Sequence, residues 1–274
     1  MKFDTIVGNP PYQKAVGERK TEPLWHIFVK NSFKSLKPDG YLCLVHPPGW
    51  RDVKGKFKEF GNLMVSKDIQ YLEMHSERDG NKTFNASIPY DWYVVKNVPS
   101  TGKTDVKFQD GVVKVLNLKE VPFIPNGAFD KIMSLLAKGS EEKVEILRTC
   151  DYHTQRDYMS DEKTSKFKHP VVYTVTKGDN INLWWSSVKK GHFGVPKVIW
   201  SNGMATGFIV DETGKYTLTQ FAYAVIDTPK NLPKIKQALT SDKFKKLIID
   251  SSVAGTINRK VLALFRKDFW KDFV

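Results

Sequence analysis

In the first 95 residues of this 274-residue chain, short runs of β-branched and apolar residues alternate with helix-length amphipathic segments. A chain patterned in this way folds as a sheet whose strands are joined by crossover helices. Residues 3–7 (Phe-Asp-Thr-Ile-Val) read as a strand. Residues 22–36 place Leu24, Ile27, Phe28 and Phe33 close to helical spacing and are stopped by Pro38 and Gly40. Residues 41–45 are strand-like again, and residues 54–65 form a basic helix with Phe57, Phe60, Leu63 and Met64 inward. Residues 69–74 and 88–95 supply two further strands. The expected class is α/β with a largely parallel sheet, and such sheets bind ligands at the carboxyl ends of their strands. At that end of the first strand stands Gly8-Asn9-Pro10-Pro11-Tyr12.

This string has a specific chemical reading. The lone pair of an exocyclic amine on a nucleobase is delocalised into the ring and is a poor nucleophile. Two acceptors at fixed angles draw the nitrogen towards sp³ geometry: the side-chain oxygen of Asn9 and the main-chain carbonyl of Pro10, in a segment that proline rigidifies. Two successive prolines forbid a helix there. Tyr12 offers a flat face for a base extruded from a duplex. Read without context, Asn-Pro and Pro-Pro are also ordinary turn punctuation after a strand.

The stretch Phe-Asp-Thr-Ile-Val-Gly-Asn-Pro-Pro-Tyr resembles motif IV of the amino-group DNA methyltransferases, in particular the adenine-N6 enzymes of restriction-modification systems related to the Eco57I type. Leu24-Trp25-His26-Ile27-Phe28 with Phe33, Leu36 and the turn Lys37-Pro38-Asp39-Gly40 is similar to the family's next helix, and residues 41–48 to its following strand. The resemblance implies a methyltransferase-type domain in which Asn9, Pro10, Pro11 and Tyr12 hold the target amine. It also implies that Phe84, in Lys82-Thr83-Phe84-Asn85-Ala86-Ser87, packs against the flipped base; a lone loop Phe is otherwise a residue of a satellite core. The implied methyl donor is S-adenosylmethionine and the implied substrate is double-stranded DNA. Glutamine methyltransferases of the release-factor type share an Asn-Pro-Pro-Tyr loop, but the long basic second half argues for nucleic acid.

A formal net charge of +13 favours a polyanionic partner. The charge is spread, with 21 Lys and Arg against 15 Asp and Glu in residues 1–138 and 22 against 15 in residues 139–274. No basic tail is set apart, and an extended groove is the simpler expectation. Only Cys43 and Cys150 occur, without a Cys-x-x-Cys pair, which points to a reducing compartment and no structural metal. The histidines, among them His26, His75 and His153, show no metal-ligand spacing. Asp4 and Asp91 lack sequence partners that would make an acid–base case. No signal peptide or membrane span is legible, and a cytoplasmic protein is expected.

Between residues 96 and 126 the chain is punctuated by Gly, Pro and Thr, with Asp110-Gly111 reading as a hairpin turn between residues 106–108 and 112–115. After a helix over residues 129–137 closed by Gly139, β-type pieces at 171–175, 181–185, 197–200 and 222–226 precede helices at 232–239 and 242–249. The expected division is a catalytic-loop portion over residues 1–125 and a mixed α+β target-recognition domain over residues 126–274. Within the latter, Lys189, Lys190, His192, Lys197, Asn202 and Lys215 are candidate contacts to phosphate or base edges, because long cations position a duplex and amides read adenine. A solvated charged surface is the competing reading of any one of these lysines. Trp184-Trp185 reads as core packing.

The chain departs from the resembled family on the donor side. The family holds S-adenosylmethionine on a glycine-rich loop after one strand and an acidic residue after the next, both before the Asn-Pro-Pro-Tyr motif; here eight residues precede the motif. No Asp-Pro-x-x-Gly-x-Gly or Gly-x-Gly-x-x-Gly occurs, and Val253-Ala254-Gly255-Thr256 offers a single glycine. The favoured expectation is a site-specific DNA adenine-N6 methyltransferase, or its catalytic and recognition subunit, completed by a second polypeptide that carries the cofactor site. Such a protein has an exposed sheet edge at its first strand. The alternatives are a catalytically inactive, methyltransferase-derived DNA-binding protein and a protein-interaction module.

Overall fold

The computed structural model describes residues 2–17, 20–52, 55–149, 151–202, 206–251 and 259–274. Cys150 and Val253-Ala254-Gly255-Thr256 lie outside the described residues, as does Lys54, where the second helix was expected to begin. The chain divides into two compact units, Met1–Phe129 and Asp130–Val274.

The first unit follows the alternation legible in the sequence. Its elements are β1 (Phe3–Gly8), the short strands β2 (Gln13–Ala15) and β3 (Thr21–Pro23), α1 (Trp25–Ser35), β4 (Leu36–His46), a 3₁₀ turn Pro48–Arg51, α2 (Lys58–Ser66), β5 (Lys67–His75), α3 (Glu77–Phe84), β6 (Tyr90–Pro99), β7 (Thr104–Lys107) and β8 (Val113–Leu116). Six strands form one sheet in the order β1-β4-β6-β5-β7-β8. β4 runs parallel to β1, and β5 parallel to β7, while β6 lies antiparallel between β4 and β5. Thus β1, β4, β5 and β7 share one direction, which is the α/β arrangement expected.

Coverage of this sheet is one-sided. α1 and α2 bring Trp25, Val29, Phe33, Phe60 and Met64 against Leu42, Leu44, Leu72, Tyr93, Val95 and Val106 in a single core. Both helices close crossovers that step outward from β1 in the same direction, and right-handed crossovers of that kind fall on one face. The row that crosses the other face, Val7, Cys43, Val94, Tyr71, Asp105 and Val115 in register, contains no buried residue. Val7 is 72% exposed and Val115 65%.

Several boundaries differ from the sequence reading, three of them near the Asn9–Tyr12 end or on a candidate residue. α1 starts at Trp25, because residues 21–23 pair with residues 13–15 instead. β4 begins at Leu36, and the expected turn at Lys37–Gly40 survives as a bulge in which Asp39 has φ 64°. Phe84 does not sit in a loop; it closes α3, a helix capped by a reciprocal Ser76–Asp79 box.

In the second unit α4 (Phe129–Leu135) is followed by β9 (Glu145–Leu147), β10 (Met159–Ser160), β11 (His169–Thr176), β12 (Asn180–Ser186), β13 (Lys197–Ser201), β14 (Phe208–Asp211), β15 (Thr217–Leu218) and β16 (Ala222–Ile226). Helices α5 (Leu232–Thr240), α6 (Asp242–Asp250) and α7 (Arg259–Leu262) close it, with a 3₁₀ turn at Phe269–Asp272. The strands form two four-stranded sheets, β10-β12-β11-β15 and β14-β13-β16-β9. Leu147, Val172, Val175, Ile199, Leu218, Ala222 and Ala224 form a core to which both sheets contribute. Ser201 Oγ ties β13 to β11, accepting from Val175 N–H at 2.6 Å and donating to its carbonyl at 2.8 Å.

α3 is pressed on the chain that follows it. A Cβ on Gly80 would stand 2.0 Å from the Ile88 carbonyl oxygen. Alanine normally favours a helix interior over glycine by about 1 kcal/mol, but overpacking against backbone costs about 1–3 kcal/mol, so the clash decides the sign. Gly80→Ala is expected to lower stability by about 1–2 kcal/mol in urea denaturation, while Asn81→Ala on the exposed side of the same helix stays near wild type.

Candidate active site

The Asn9–Tyr12 loop leaves the carboxyl end of β1 beside the end of β4, since Gly8 registers with Leu44. Asn9 is exposed, and neither its side chain nor the Pro10 carbonyl makes a hydrogen bond within the described residues. Among the described residues both candidate acceptors are therefore free. The loop is anchored one step later: the Tyr12 carbonyl accepts from Leu24 N–H at 2.9 Å and from Trp25 N–H at 3.4 Å, at the entry to α1. Trp25 is buried and stacks on His46 at 4.4 Å and 16°.

Tyr12 is half-buried, packing against the sheet core, and its hydroxyl oxygen is buried without a hydrogen-bond partner. Burial pushes this phenol up to about 12, and Tyr90 adds to the shift. The hydroxyl is thus neutral across the physiological range, with a proton to donate.

Tyr90 opens β6 and belongs to an aromatic group that no sequence pattern singled out. Its ring stacks on His75 at the end of β5, with centroids 4.4 Å apart and planes 7° apart. Phe84 meets it edge-on at 4.9 Å and 71°, and the Tyr90 hydroxyl lies 3.2 Å from Thr83 Oγ1. The ends of β1, β4 and β5 and the start of β6 thus share one end of the sheet.

Behind this end lies a buried polar network. Arg51 and Asp91 are both fully buried and joined Nε to Oδ2 at 2.9 Å. Asp91 Oδ2 also accepts from Trp50 Nε1 at 2.9 Å. The guanidinium reaches on to the carbonyls of Ile124 (3.1 Å) and Pro125 (3.3 Å) and to Asn126 Oδ1 (2.8 Å). Asp91 did have a partner, then, but one 40 residues away that local sequence does not announce. The arrangement is a structural clamp in which both charged side chains are wholly buried.

The candidate DNA contacts all lie in the second unit. Lys189, Lys190, Asn202 and Lys215 are exposed and His192 is half-buried. Lys197 must be corrected: its side chain is 0% exposed and its ammonium pairs with Asp211 at 2.9 Å, so it cannot touch a duplex. It opens β13, a central strand whose residues 197–200 are all buried. Trp184 and Trp185 are half-buried on β12; Trp184 stacks on Tyr173 at 5.8 Å, and Lys163 lies 4.9 Å from the Trp185 ring. Among the described residues no cluster of three or more His, Cys, Asp and Glu is placed to hold a metal ion, and no helix is long and apolar enough to cross a membrane.

The first unit is thus an α/β sheet with a strand–Asn-Pro-Pro-Tyr loop at the carboxyl end of β1. Residues 1–79 match the family model described as Eco57I restriction-modification methylase, which bears out over that stretch the resemblance carried by Phe3 to Tyr12. No curated protein matches the chain. Among solved structures, the modification subunit of a type I restriction enzyme from Vibrio vulnificus YJ016, described as putative, is similar over 39% of this chain and 26% of its own, at 14% identity and a TM-score of 0.32. The EcoKI M protein is similar over 51% of this chain and 36% of its own, at 14% identity and a TM-score of 0.31. The type IIL restriction-modification enzyme MmeI in complex with DNA is similar over 86% of this chain and 42% of its own, at 10% identity and a TM-score of 0.45. The chain spans less than half the length of each.

His46 gives the site a pH signature. Its Nδ1 donates to the Pro47 carbonyl at 2.9 Å, so Nε2 accepts from the Tyr93 hydroxyl at 3.0 Å in a neutral tautomer. Full burial lowers its pKa to about 4, against the hydrogen bond to Pro47, which favours the charged form. The unfolded chain takes up this proton near pH 6.5, so the contribution to stability is complete above that value and is lost as pH falls towards 4. Between pH 7 and 4.5 the loss is expected to be about 2 kcal/mol in urea denaturation, and His46→Phe should remove that part of the acid dependence. An unchanged pH profile in the variant would contradict the assignment.

Proposed function

We propose that the first unit is the acceptor half of an S-adenosylmethionine-dependent DNA adenine-N6 methyltransferase of restriction-modification type, and that the second unit is its target-recognition part. The observation that carries this reading is the pair of unsatisfied acceptors, Asn9 Oδ1 and the Pro10 carbonyl, at the carboxyl end of β1 in the segment that matches the methylase family. An adenine amine donating to both is drawn towards sp³ geometry and gains nucleophilicity. Tyr12 stacks the extruded base, and Phe84, set edge-on to Tyr90, packs against it.

The donor side does not fit the residues present. No glycine-rich turn between a strand and a helix, followed by an acidic residue after the next strand, occurs among the described residues. The described residues supply the amine side of the transfer. β1 is an edge strand with Phe3 40% and Val7 72% exposed, and it supplies an open row of backbone donors and acceptors. Further strands carrying the methyl donor pair there, from a second polypeptide. Duplex DNA is the substrate.

The test is methyl transfer from labelled S-adenosylmethionine to duplex DNA by the chain co-expressed with the polypeptide encoded immediately upstream. Label is expected on adenine N6. Asn9→Ala should lower the rate by about 100-fold or more, as loss of one positioned acceptor does, and Tyr12→Ala by about tenfold or more. Transfer that survives Asn9→Ala would overturn the assignment of the site. For the edge, hydrogen exchange is expected to show the β1 amides that point away from β4 unprotected in the chain alone and protected in the co-expressed complex. Calorimetry of the chain alone should show no tight binding of S-adenosylmethionine; tight binding would place a donor site within these residues.

A further inference from the structure

In the second unit two loops, residues 187–196 and 211–216, meet at a backbone crossing. Gly194 N–H donates to the Gly214 carbonyl at 2.8 Å. A Cβ on Gly214 would stand 2.2 Å from the Val195 nitrogen and 2.3 Å from the Gly194 carbonyl carbon, so any side chain there drives the loops apart. Both glycines have positive φ, 80° at Gly194 and 68° at Gly214.

Beneath the crossing lies the Lys197 ammonium. Its three N–H groups are all used: Asp211 Oδ2 at 2.9 Å, the Val195 carbonyl at 2.8 Å and the His192 carbonyl at 3.4 Å. Asp211 in turn accepts the backbone N–H groups of Lys215 (2.8 Å) and Tyr216 (3.0 Å). Farther along the first loop the Tyr152 hydroxyl, on a fully buried residue, accepts from Lys190 N–H at 2.8 Å and donates to the Lys190 carbonyl at 2.5 Å. Apart from the ion pair itself, these bonds hold main chain and leave the outward side chains unused.

Those outward side chains include three lysines, each laid over an aromatic face. Lys189 Nζ lies 5.8 Å from the Phe193 ring, Lys190 Nζ 4.7 Å from Tyr158 and Lys215 Nζ 5.1 Å from Tyr216. All three residues are exposed, and none forms an ion pair within the described residues. A lysine already ordered on a ring has less conformational freedom to lose when an anion arrives.

We infer that residues 187–196 and 211–216 act as one rigid phosphate-binding element for duplex DNA, with Lys189, Lys190 and Lys215 as its contacts and Lys197 as the buried residue that positions them. The inference rests on the proposed recognition role of the second unit and assigns its backbone-contact surface. It also gives Lys197, wrongly expected at the interface, a part in binding that works through the loops.

The experiment is a salt series of fluorescence anisotropy titrations, with the full chain and a labelled duplex of mixed sequence. Each phosphate contact contributes about 0.9 to the slope of log affinity against log salt. Lys189→Ala, Lys190→Ala and Lys215→Ala are each expected to reduce the slope by about one, with circular dichroism and thermal midpoint unchanged. Lys197→Met and Gly214→Ala retain all three surface lysines yet are expected to reduce slope and affinity, because the loops no longer hold the cations together. A triple lysine variant that binds with the wild-type slope overturns the element while leaving the recognition role intact. A Lys197→Met protein that is folded by near-ultraviolet circular dichroism and keeps the wild-type slope overturns the positioning role. Absence of salt-dependent duplex binding by the wild-type chain overturns the recognition role and the element with it.

Discussion

The Arg51–Asp91 pair is the constraint on which the functional end of the first unit depends. Both groups are fully buried, and in that setting an ion pair adds little net stability over an apolar pair of the same volume, because desolvation offsets the attraction. Its effect is geometric. One guanidinium fixes the start of β6 through Asp91, and the carbonyls of residues 124 and 125 directly. Asp91 adjoins Tyr90 in the chain and stands opposite His46 and Met74 in the sheet. The aromatic group of His75, Tyr90 and Phe84 therefore inherits its position from a wholly buried charge pair.

The candidate loop was legible where its information is local. Asn9 to Tyr12 are consecutive, the strand before them is a run of suitable residues, and two prolines admit few backbone paths. The aromatic group was not legible, because His75 and Tyr90 meet only through the register of β5 with β6. Phe84 stands beside Tyr90, but at the end of a helix and not in the expected loop. The signal was present in Ser76-x-x-Asp79, a capping box, yet α3 has eight residues and a single buried one, Gly80, so hydrophobic periodicity could not reveal it. Lys197 failed for a related reason. The run Val198-Ile199-Trp200 has no polar alternation, and a strand of that kind is buried on both faces. A lysine at its head is drawn inside with it and needs Asp211, whose proximity only the fold supplies.

The two units hold their chemistry differently. In the first, functional groups sit at strand ends, fixed by a sheet whose core is complete on one face. In the second, the candidate contacts sit on loops, and their precision comes from bonds to the main chain: a buried ammonium, a carboxylate accepting two amides, and two glycines at a crossing. Side chains on such loops can be exchanged without altering the path beneath them.

The open edge of β1 has a consequence for how the chain behaves in bulk. Backbone donors and acceptors on a bare strand do not distinguish one partner from another, and a second copy of the same chain offers an equally good match in hydrogen bonds. Self-pairing through that edge rises with concentration, so a dilute chain keeps the strand bare and a crowded one covers it with itself.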